Sequence, residues 1–86
     1  MTKVEYTNCE KLMEEAIQKA KQAKEEFYKV RLEKDIISKN ILLATAHRHL
    51  GYADGINQTL ACIGFKHDRM KELSELLWRK WSDSDV

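Results

Sequence analysis

Three histidines and two cysteines are the side chains here best suited to hold a metal or act as nucleophiles, and their spacing argues against both roles. His47 and His49 stand two apart, so on a helix they point about 200° from one another and cannot share an ion. Cys62 and His67 straddle Gly64. They offer two ligands where a structural zinc needs four. As a nucleophile and base they would further need an oxyanion site and a substrate cleft. A chain of 86 residues has little room for a cleft. No G-x-S-x-G, Walker loop, H-E-x-x-H or dinucleotide fingerprint occurs. The expectation is a non-enzymatic protein with no catalytic residue, no metal and no cofactor. Cys9 and Cys62 are too few for a disulfide framework and read as thiols in a reducing compartment.

Residues suited to binding are more numerous. Thr45, Arg48, Tyr52, Gly55 and Thr59 are spaced 3/4 and share one helical face. An arginine and an aromatic beside two hydroxyls suit a partner's carboxylate or a phosphate-bearing ligand. Gly51 and Gly55 form a G-x-x-x-G, read here as two glycines that let helices cross closely or that mark a break. In Leu76-Leu77-Trp78-Arg79-Lys80-Trp81, tryptophan and arginine are the types most enriched at binding hot spots. Interleaved basic and aromatic groups also suit nucleic-acid stacking. Trp81 falls on the stripe of Leu73 and Leu77 and is expected in the core, which leaves Trp78 and Arg79 as the contact candidates. Lys66, His67, Arg69 and Lys71 would add a modest basic patch, diluted by Asp68, Glu72 and Glu75. The terminal Ser84-Asp85-Val86 matches the S-x-Φ carboxylate signal recognised by strand addition, a match too short to carry weight.

These residues are positioned by helices. Charged residues are 34% of the chain, with no proline and three glycines, a composition that fits long helices. Fifteen basic and fourteen acidic side chains nearly cancel, so no global field attracts nucleic acid or membranes. Thr7-Asn8-Cys9-Glu10 reads as a capping box. After it Cys9, Met13, Ala16, Ala20, Ala23, Phe27 and Val30 follow a heptad-like seam, narrow where the alanines fall. The register runs on through Lys34, Ile37, Ile41 and Ala44, so one alternative is a single rod from Thr7 to Leu50, about 65 Å long. The other, preferred, places a turn near Lys34-Asp35. Between Ile36 and Phe65 only Lys39, Arg48 and Asp54 carry a full charge, and that abrupt loss of charge favours the turn. Leu43, Ala46, Leu50, Ala53, Ile56, Leu60 and Ile63 then line one face, Gly64 is a left-handed stop, and Leu60 and Phe65 are placed for a Schellman contact. Gly51 could instead be an earlier stop. A third helix, capped by Asp68, presents Met70, Leu73, Leu77 and Trp81.

The segments Leu50-Gly51-Tyr52-Ala53-Asp54-Gly55-Ile56 and Leu60-Ala61-Cys62-Ile63-Gly64-Phe65 resemble a recurrent style among short helical proteins encoded by bacteriophages and other mobile elements. The resemblance implies a small accessory protein that binds, and inhibits or redirects, a host or phage component. It transfers no functional residues. The expected architecture is one all-α domain over 1–86. Two long antiparallel helices, about 7–33 and 36–63, and a shorter one, about 68–81, precede a frayed tail at 82–86. So small a core favours a helical-bundle homodimer. The expected function is docking of a helical face to an unidentified protein, with Arg48, Tyr52, Thr59, Trp78 and Arg79 as contacts and Gly51 and Gly55 as packing residues. The alternative is a helical oligomer that binds nucleic acid or a nucleotide. The N-terminus lacks a signal-peptide run and no apolar stretch reaches a membrane span, so the expected location is the cytoplasm.

Overall fold

The computed structural model describes residues 1–78, and these form three helices: α1 (Lys3–Leu32), α2 (Ile36–Cys62) and α3 (Met70–Trp78). Arg79, Lys80, Trp81 and the tail lie outside the described residues. The turn at 33–35 excludes the single rod. Glu33 leaves the helical conformation and its carboxylate accepts from the Asp35 amide at 3.0 Å. Asp35 caps α2 by accepting from the Ser38 amide at 2.9 Å, and that bond holds its carboxyl below the usual range. α1 begins four residues earlier than its expected first residue. Its capping box is Thr2 and Glu5, each side chain bonded to the other's amide at 3.1 Å, while the Thr7 hydroxyl donates to the Lys3 carbonyl inside the helix. α2 passes through Gly51 and Gly55 without a break. It stops at Gly64, whose φ of 76° is the left-handed conformation a C′ residue takes.

α1 and α2 pack as an antiparallel hairpin. The seam read from the sequence is the core: Cys9, Met13, Ala16, Ala20, Ala23 and Phe27 are buried, joined by Ile17, while Val30 is only half-buried. From α2 come buried Ala46, Ala53 and Leu60, with Leu43, Leu50 and Ile56 half-buried against them. Ile63, expected on this face, is exposed. The core divides in two. Phe27, Ala23 and Ala46 fill the end near the turn, and the ring of Phe27 meets His47 edge-on at 5.1 Å. At the other end Met13, Ile17, Leu60, Phe65 and Leu73 close one cluster.

α3 completes that larger cluster by burying Leu73 fully. It runs alongside α1, tied by rungs in register: His67 to Glu10, Arg69 to Glu14, and Glu72 to Lys21 at 3.6 Å. Its entry turn is closed by His67, whose Nδ1 accepts from the Arg69 amide at 3.1 Å, and α3 begins at Met70; Asp68 is not its cap residue. Because Nδ1 accepts, the ring proton sits on Nε2 and donates to Glu10 at 3.2 Å.

The hairpin leaves one face of α2 uncovered. Ile37, Ile41 and Ala44, which would have prolonged the seam of α1 in an unbroken rod, lie on the far side of α2 once the turn reverses the chain. Ile37 is 71% and Ile41 62% exposed. The 3/4 spacing continues through Arg48, Gly51, Gly55, Gln58 and Cys62, all exposed. α2 therefore carries two seams, one facing α1 and one facing outward. No helix among the described residues is long and apolar enough to cross a membrane.

Candidate functional site: the outer face of α2

The outer seam of α2 is a ridge between two grooves. On one side a groove of about 510 Å³ runs between α2 and α3, lined by His47, Asp54, Gln58, Leu77 and Trp78. On the other a groove of about 350 Å³ lies against α1, lined by Leu12, Tyr52, Gly55, Ile56 and Thr59. Gly51 borders both. The ridge is lowest there because two of its residues have no side chain. A Cβ built at Gly51 or Gly55 would meet nothing within 4 Å. Among the described residues neither glycine is packed against a second helix, and both leave open space on the ridge.

The stripe expected to grip a phosphate is divided by its own hydrogen bonds. Thr45 and Thr59 donate their hydroxyls at 2.9 Å to the carbonyls of Ile41 and Gly55, one turn back. Tyr52 is 47% exposed but donates its phenol to Glu15 of α1 at 2.6 Å. Lys19 stands 5.9 Å from the centre of its ring. That bond to a carboxylate raises the Tyr52 phenol above its usual range. Tyr52 is thus a strut between the helices as well as part of the face. Arg48 has no carboxylate partner among the described residues and is the one full charge on the ridge.

The other candidates separate. Trp78 is 82% exposed at the mouth of the α2–α3 groove, and Arg79 lies outside the described residues. Two of the four members of the basic patch are matched: Arg69 pairs with Glu14 and Glu72, and His67 with Glu10. Arg69 and Lys21 hold the Glu72 carboxyl below its usual range, the Arg69 hydrogen bond contributing most. His47 and His49 face different neighbours, Phe27 for the first and Glu26 at 2.6 Å for the second. Both ring nitrogens of His67 are engaged, so it is not free to act as a base for the exposed thiol of Cys62. Among the described residues no three His, Cys, Asp or Glu side chains gather as a metal-binding group.

Reading the sequence alone missed Ile37, Ile41 and Ala44 as part of this surface. Their spacing was visible but fitted a longer first seam equally well. No family model, curated protein or solved structure matches this chain.

Proposed function

We propose that this chain is a non-enzymatic interaction protein that docks another polypeptide on the outer face of α2. The observation that carries the reading is the seam itself. It runs the length of a 27-residue helix, is exposed throughout, and holds one charge, Arg48. A solvated helix face in so charged a chain would be expected to carry alternating charges, as the outer face of α1 does. The grooves on either side of Gly51 offer places for a partner's side chains, and Trp78 adds a large aromatic at one rim. An accessory or regulatory role, of the kind the phage-protein resemblance implies, would be exercised through this face.

Two baits test it. The wild-type chain is expected to retain a polypeptide partner from extracts of its source at both 50 and 200 mM salt. Baits carrying Ala44→Glu or Trp78→Ala, with unchanged far-ultraviolet circular dichroism, should lose it. Retention that collapses across that salt range, with nucleic acid in the eluate, would replace docking with backbone electrostatics.

A further inference from the structure

Resting on that reading, we infer that the polypeptide on the outer face of α2 is a second copy of the chain, packed antiparallel about a two-fold axis near residues 49 and 50. A two-fold pairing centred there sets Ile37 against Cys62 of the second copy, Ile41 against Gln58, Ala44 against Gly55, and Arg48 against Gly51. Every outward position then meets another outward position.

Three features of the seam favour this arrangement. Its large exposed apolar residues, Ile37 and Ile41, lie at one end of α2, and the smaller exposed thiol of Cys62 lies at the other. Reversal lays each end over the opposite end of the other copy, so both are covered by one operation. Small residues meet in the middle, Ala44 over Gly55, and allow the helix axes to approach closely. Arg48 lies over Gly51, the one place where a missing side chain leaves room for it, beside the half-exposed ring of Tyr52. An in-register parallel pair would do the reverse. It would oppose Arg48 to Arg48, stack glycine on glycine and leave a void.

Ile37 and Ile41 together expose on the order of 250 Å² per copy, before the smaller seam residues are added, against about 800 Å² per partner in a stable interface. Gln58, Thr59, Cys62, Arg48 and the backbone at both glycines lie along the same roughly 40 Å of helix and add to that area.

The test combines mass and register. Sedimentation velocity of the full chain from 5 to 200 µM should give twice the chain mass of 10.1 kDa. Ala44→Glu, at an exposed position that leaves the hairpin untouched, should return it to one chain. Ile37→Cys, treated with oxidised glutathione as the two-electron acceptor, should cross-link the introduced thiol to Cys62 of the other copy, as peptide mapping would show. A chain monomeric at 200 µM, a dimer indifferent to Ala44→Glu, or a 37-to-37 cross-link would overturn the inference. A monomer whose retention of a different polypeptide is abolished by Ala44→Glu would overturn only the second copy and leave the docking surface standing.

Discussion

The amide of Phe65 donates to the carbonyl of Leu60 at 3.0 Å across a left-handed Gly64, and both side chains are buried in one cluster. With the Gly64 amide bonded to Ala61 at 3.1 Å, this is a complete Schellman motif, and it turns the chain back over the hairpin to start α3. The three glycines therefore respond differently to alanine. Gly64→Ala forces a side chain into φ 76° and should cost about 1 kcal/mol, although a Cβ there meets nothing. Gly51→Ala and Gly55→Ala lie inside α2 in open space and should each stabilise the helix by about 0.5–1 kcal/mol. Urea denaturation at low micromolar concentration, where association contributes least, separates the two signs.

Close approach of α1 and α2 depends on alanines. Ala16, Ala20 and Ala53 are fully buried in one cluster, so the helices meet across methyl groups. Ala20→Leu inserts three carbons into that seam and should destabilise by about 1–3 kcal/mol through overpacking. Leu73→Ala should cost about 2–5 kcal/mol, since Leu73 is fully buried and anchors α3. Differential scanning calorimetry would show both, and the Leu73 variant should also lose the protection of α3 amides from hydrogen exchange.

Most of this hairpin was legible in the residue pattern, and the misses have local physical causes. The seam from Cys9 to Phe27 and the stop at Gly64 carried their signals in a few adjacent turns. The start of α1 was misplaced because the Thr-x-x-Glu spacing occurs twice, at Thr2 and at Thr7. The exposed Val4 and Tyr6 give no apolar period to choose between them. The bonds that Tyr52 and His67 make were not legible because their partners, Glu15 and Glu10, stand 37 and 57 residues away. The outer seam of α2 was hidden by continuity. A 3/4 series that crosses a turn changes face without changing spacing, and only the reversal at Asp35 shows which side Ile37 and Ile41 take.

Acid should loosen both ends of the bundle. Asp35 caps α2 and Glu72 ties α3 to Lys21, and hydrogen bonds hold both carboxyls below their ordinary values of 3.8 and 4.5. A depressed folded-state value means that their contribution is present above the unfolded value and disappears as pH falls through the folded one. Thermal stability should therefore decline below about pH 4.5. Asp35→Asn keeps a capping oxygen without a titrating carboxyl and should show a shallower decline, whereas Asp35→Ala should lower Tm at neutral pH by about 5 °C.

The alkaline side reports on Tyr52. Its phenol is raised above 10.0 because it donates to Glu15 and would, once ionised, face that carboxylate. Here the folded-state value lies above the unfolded one, so the contribution is complete below the unfolded value and is lost as pH rises through the folded one. Absorbance titration of phenolate should show one tyrosine ionising late in the wild-type chain. Glu15→Gln should bring that titration to lower pH, and Tyr52→Phe should remove it. Because the bond spans α1 and α2 beside the outer seam, Tyr52→Phe also asks whether the strut orients the docking face. Loss of the dimer with the hairpin's melting temperature unaltered would assign it that role; an unchanged dimer would confine the strut to the hairpin.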